Sequence, residues 1–123
     1  TGMNDKPREQ VRIAMIRAKS CELLAKKAQL KPLDAFFTVG MFSALDLLMD
    51  HSLEELITPL PLADNLKKSL LNREGEPGAA LNCTLAQETG DWVNIRFGNL
   101  TASELTAANI EAMQWAEEVL NSI

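Results

Sequence analysis

Apolar residues recur along the first quarter of the chain with the period of an α-helix. From residue 6 to residue 30, Pro7 suits a first-turn position and no further helix breaker appears until Pro32. At about 100° per residue, Val11, Ala14, Ala18, Cys21, Ala25 and Ala28 fall on one face. That stripe of small side chains lets a second helix approach closely. Ile13, Ile16, Leu23 and Leu24 widen the apolar surface, which predicts contacts on more than one side. A second helix is expected over residues 34–50, with Asp34 at its N-cap. Its side chains are apolar except Thr38, Ser43, Asp46 and Asp50, and the last three share a narrow arc. This pattern predicts the central, mostly buried helix. Gly40 lies outside the arc. A glycine inside a helix costs about 1 kcal/mol relative to alanine, so another backbone is expected to pass close to it.

Shorter elements follow. Ser52-Leu53-Glu54-Glu55 reads as a capping box, opening a short third helix that ends before Pro59. The link through Pro61 is extended, because residues before proline avoid the helical region. A fourth helix is expected over 64–72, closed by the turn at Gly75 to Gly78. Pro77 opens a fifth, running to about Thr89, and Gly90 stops it. Asp91 caps a short sixth over 92–97, with Gly98 at its end. Thr101-Ala102-Ser103-Glu104 is a second capping box, before a long final helix to about Asn121. Leu105, Ala108, Ala112, Trp115, Ala116 and Val119 form its inward face. No segment reads as a strand. The class is all-α, with about six to seven helices joined by short turns.

At 123 residues a single domain is expected, over residues 6–122. Thr1 is not an initiator, so residues 1–5 are expected to be a cloning remnant or a disordered end. The net charge of −5 argues against nucleic acid as a partner. Cys21 and Cys83 sit in apolar helical surroundings and read as reduced core thiols. The longest apolar run, 36–49, is too short to span a bilayer and contains Asp46. No membrane partner is expected, and a cytoplasmic location is.

Charge is unevenly placed. Residues 1–33 hold eight basic and three acidic side chains, and the remainder holds four and fourteen. Arg8, Arg12, Lys19 and Lys26 fall within about 40° of one another on the first helix. They form a candidate contact surface for an acidic partner or a phosphate-bearing ligand. The competing reading is a solvated face, or attraction between this helix and the acidic remainder. Arg17 projects instead toward the apolar side, near Ile13, Cys21 and Leu24. A buried guanidinium there needs a carboxylate, and Asp46 and Glu88 are the candidates for a structural ion pair. Otherwise Arg17 reaches out to water.

Metal-assisted hydrolysis needs several histidines and carboxylates converging on an ion, and this chain has one histidine, His51. It stands beside Asp50 at a helix end. No catalytic residue, metal ligand or cofactor is predicted.

Several segments together carry a resemblance. Arg17-Ala18 and Cys21-Glu22-Leu23-Leu24-Ala25 precede Phe37-Thr38-Val39-Gly40-Met41-Phe42-Ser43-Ala44-Leu45-Asp46. Then come Leu60-Pro61-Leu62, Glu88-Thr89-Gly90-Asp91-Trp92, and Trp115-Ala116. Over roughly residues 12–121 the chain resembles the C-terminal half of an HDOD domain. It is most similar to the form found in bacterial EAL–HDOD (YuxH-like) cyclic di-GMP signalling proteins. The resemblance implies a helical relative of the HD phosphohydrolases that has lost the His-Asp metal ligands and acts as a regulatory or protein-binding module. Asp50-His51 stands in the reverse order of an HD doublet.

The chain departs from the family in lacking an EAL domain and the first half of the HDOD domain. Ala63 also stands where relatives often carry a serine cap. A fragment of that kind is expected to expose apolar surface on its first two helices and to self-associate. The function expected is a non-catalytic regulatory module, not an enzyme, whose partner is a protein or an EAL-type domain of the same polypeptide. The alternatives are a piece of an HD-type metal-dependent phosphohydrolase with its ligands elsewhere, and nucleotide binding by the basic face.

Overall fold

The computed structural model describes residues 2–123, with side chains from Pro7 onward. The expectation for residues 1–5 concerns Thr1 and side chains that lie outside the described residues. The described residues are all-α and contain no strand. The order is α1 (Gly2–Lys27), α2 (Leu33–Phe42), α3 (Leu45–Leu48), α4 (Leu53–Ile57), α5 (Asp64–Asn72) and α6 (Gly75–Thr89). A 3-10 turn, Trp92–Asn94, then leads to α7 (Ala102–Asn121). Five of these helices have nine or more residues, and α3 and α4 are little more than one turn each.

The central helix is α1, not the second helix as its apolar sequence suggests. It packs on α2, α6, α7 and α3. Its small-residue stripe is the reason: Ala14, Ala18, Cys21 and Ala25 are all buried, and small side chains let neighbouring helices close in. Gly40 marks the tightest approach. A Cβ built there would stand 2.3 Å from the Arg17 carbonyl oxygen and 2.7 Å from the Ala18 Cα. The core joins Leu24 of α1, Phe36 and Val39 of α2, Ile57 of α4, Leu70 of α5, Leu81 of α6 and Leu105 of α7. Both cysteines are buried and unbridged. Burial pushes the Cys21 thiol up to about 12, and its Sγ lies 3.6 Å from Thr84 Oγ1.

The helix expected over 34–50 is broken in two. The Ser43 hydroxyl donates to the Gly40 carbonyl at 2.7 Å. The Ser43 carbonyl, which a continuous helix would offer to the Leu47 N–H, accepts instead from Arg17 Nη1 at 3.2 Å. The Leu47 N–H turns to the Ala44 carbonyl at 3.0 Å, and the chain bends. The cap of α2 is Pro32, so Asp34 sits in the first turn and makes no capping bond. Pro77 lies within the first turn of α6 rather than opening it.

The expected helix over 92–97 shrinks to the 3-10 turn, because Asn94 Nδ2 donates to Asp91 Oδ2 at 2.7 Å and the backbone leaves the helical region at Ile95. Thr101 and Glu104 make the full capping box. Ser52 makes half of one: it accepts from the Glu55 N–H, while the Glu55 carboxylate lies 3.3 Å from His51 Nδ1.

Candidate interaction site

Arg8, Arg12, Lys19 and Lys27 of α1 lie against the last helix. Arg8 donates to the Leu120 carbonyl at 3.0 Å. Arg12 pairs with both Glu117 and Glu9. Lys19 binds Glu22 at 2.9 Å, and its ammonium stands 5.1 Å from the centre of the Trp115 ring. Trp115 in turn meets the edge of Phe37 at a centroid distance of 6.1 Å. Lys27, which was not among the candidates, pairs with Glu111 at 3.2 Å. Of the four residues proposed as a contact surface, only the exposed Lys26 has no ion pair or side-chain hydrogen bond among the described residues. Arg12 with Glu117 and Lys27 with Glu111 bring opposite charges of α1 and α7 together where the two helices run antiparallel.

Arg17 is the hinge of the interior polar contacts. Its Nε and Nη2 donate to the two carboxylate oxygens of Glu88 at 2.7 and 3.1 Å. The Arg17 side chain is 13% exposed and Glu88 is 31% exposed, so the pair is only partly screened by water. Asp46, the other candidate, is exposed on α3 and takes no hydrogen bond from Arg17. Arg17 thus ties α1 to α6 and, through Ser43, to the bend between α2 and α3.

The large apolar side chains that face water are Leu48, Met49, Trp92, Val93, Ile110, Met113 and Ile123. Leu48 and Met49 lie within the 34–50 segment expected as the second helix, and none of the others lies on that segment or on the described side chains of α1. Trp92, at 83% exposed, stands out on the 3-10 turn. His51 is exposed, and among the described residues no three His, Cys, Asp or Glu side chains are grouped to hold a metal ion.

A cavity of about 750 Å³ opens where four segments meet: the end of α1, the start of α6, residues 94–100 and the first turn of α7. Its lining includes the polar side chains of Gln29, Asn82, Asn94, Arg96 and Asn99. Sequence reasoning missed these residues, because each is an ordinary loop or surface side chain in its own segment. The one local signal was Gln29, a non-glycine where a helix ends. Its φ is 59°, a left-handed conformation that favours glycine.

Two curated relatives align with nearly the whole chain. One is the cyclic di-GMP phosphodiesterase CdgJ of Vibrio cholerae, 34% identical over 119 residues, which are 93% of this chain and 28% of that protein. The other is the uncharacterized protein YuxH of Bacillus subtilis, 31% identical over 116 residues, with the same shares. The chain therefore spans little more than a quarter of the length of the curated relatives it matches. No family model matches the chain, and no solved structure does. The chain is thus similar to one part of a protein named as a cyclic di-GMP phosphodiesterase. The expectation that the chain is not an enzyme is overturned: CdgJ, which the chain matches over 28% of its length, is named as a phosphodiesterase.

Proposed function

We propose that residues 6–122 form an HDOD-type module of a larger cytoplasmic bacterial protein that acts on cyclic di-GMP. In this reading the module regulates by binding protein, either the EAL-type phosphodiesterase part of the same polypeptide or a separate partner. The observation that carries the reading is the alignment: nearly all of this chain corresponds to about a quarter of a named phosphodiesterase. The packing suits such a role. With α1 at the centre, a partner that shifts α7 or α6 acts on α2 through Arg17, Glu88 and Ser43.

The test compares cyclic di-GMP hydrolysis by the full polypeptide that carries this module with hydrolysis by a version lacking residues 6–122. A regulatory module changes kcat or KM, and the separate chain added back binds the shortened protein in gel filtration. Identical kinetics together with no association would refute the proposal.

A further inference from the structure

The cavity at the end of α1 has the chemistry of a peptide site. Its lining carries two cations, Lys27 and Arg96, and two carboxylates, Glu76 and Glu104. That balance gives no attraction to a strongly anionic ligand such as a nucleotide, which would meet both carboxylates. Lys27 and Glu104 are already engaged, with Glu111 and Thr101 respectively. Arg96 and Glu76 have no ion pair among the described residues.

The carboxamides set the ligand class. Each offers a donor and an acceptor on one flat group, the same pair that a peptide bond presents. The Asn82 Oδ1 accepts from Arg73 Nη1 at 3.3 Å, which leaves its NH2 group to donate. The Asn94 NH2 is held by Asp91, which leaves its Oδ1 to accept. Gln29 and Asn99 make no side-chain hydrogen bond among the described residues. Between these groups lie the apolar walls of Leu30, Phe97 and Leu100, room for an apolar side chain. An extended strand sends alternate side chains to opposite sides, so one enters while its backbone is read at the polar wall.

Backbone conformation points to the same place. Gln29 and Arg73 are the two non-glycine residues with positive φ among the described residues, at 59° and 60°. Gln29 lines the cavity, and Arg73 braces Asn82, which also lines it. Each ends a helix where glycine would fit without strain. Side chains kept at strained positions gather at ligand sites.

We propose that this cavity binds an extended peptide segment of a partner protein, its backbone held by Gln29, Asn82, Asn94 and Asn99. A carbonyl or carboxylate of the segment meets Arg96, and an apolar side chain sits against Phe97 and Leu100. The inference rests on the proposed role only in taking the partner to be a protein.

The test pans a random dodecapeptide display library on the purified chain and titrates the synthesised winners into 15N-labelled protein. Binding at about 10 to 100 µM is expected, with shifts in the side-chain NH2 resonances of the four carboxamides. Arg96→Ala and Asn82→Ala each weaken it by about tenfold or more, and Ile110→Ser leaves it unchanged. Gln29→Gly gives the sharpest readout, since relief of strain raises Tm while affinity falls. A purely structural Gln29 would raise Tm and leave affinity alone.

The inference is overturned if no peptide enriches, if the shifts map elsewhere, or if cyclic di-GMP moves the same four amides. A change in hydrolysis on deleting residues 6–122, with no effect of Arg96→Ala on peptide binding, would sink this site and leave the proposed function standing.

Discussion

Replacing Gly40 by alanine tests the packing at the centre of the molecule. On an exposed helix the change would stabilise by about 1 kcal/mol, through helix propensity alone. Here the new methyl would stand 2.3 Å from the Arg17 carbonyl oxygen, 2.6 Å from its carbon and 2.7 Å from the Ala18 Cα. These are backbone atoms of a buried helix and have no rotamer to yield. Ordinary contact begins near 3.4 Å, so α2 and α1 must part by about 1 Å. Overpacking a well-filled interior costs about 1 to 3 kcal/mol, and a clash with backbone belongs at the upper end. Subtracting the propensity gain leaves a net loss of about 2 kcal/mol. At this chain length that lowers Tm by roughly 6 to 10 °C. Urea unfolding followed by circular dichroism should show a lower midpoint with an unchanged m-value. A Gly40→Ala protein as stable as the parent, or more stable, would refute the close approach of the two helices.

Other substitutions probe the remaining contacts. Arg17→Met removes the Glu88 pair and the Ser43 carbonyl's donor, and should cost about 1 to 3 kcal/mol in urea unfolding; a double-mutant cycle with Glu88→Gln should give coupling of about 1 kcal/mol, and zero coupling would mean the pair contributes nothing. Thr101→Ala should cost about 1 kcal/mol by loss of the hydroxyl cap. Hydrogen bonds from Thr101 hold the Glu104 carboxyl below its ordinary value of 4.5. Its folded pKa is thus lower than its unfolded one, so the stability it contributes is present above the unfolded value and lost as pH falls through the folded one. The stability gap between parent and Glu104→Gln should narrow on acidification below about pH 4.5, and a gap independent of pH would contradict the carboxylate's part in the capping box. Cys21, pushed up to about 12 by burial, should resist a disulfide reagent at pH 8 until the protein unfolds, and rapid labelling of the native chain would place it outside the core.

The elements readable from the sequence are those decided by neighbours three or four residues away. The 3.6-residue period identifies α1 and α7, and the Thr101 to Glu104 spacing marks where α7 begins. Gly40 announced a close approach because a mid-helix glycine needs a compensating reason. Loop tips such as Trp92 to Asn94 were harder, since one side-chain bond from Asn94 to Asp91 outweighs weak helical propensity there.

What only the tertiary structure decided involves residues far apart in the chain. The bend at Ser43 is made by Arg17, 26 residues earlier, and no local rule contains that contact. Asp46 and Glu88 were equal partners for Arg17 on pattern, and only the packing of α6 beside α1 selects Glu88. The basic residues of α1 were visible as a face, but their direction toward α7 depends on how the two helices cross. The carboxamide cavity draws on four segments, none of which carries a motif of its own. Local hydrogen bonding and periodicity are written in consecutive residues, so the sequence alone determined long helices such as α1 and α7. Which surfaces meet depends on how helices pack over long sequence separations, and only the folded chain determines that.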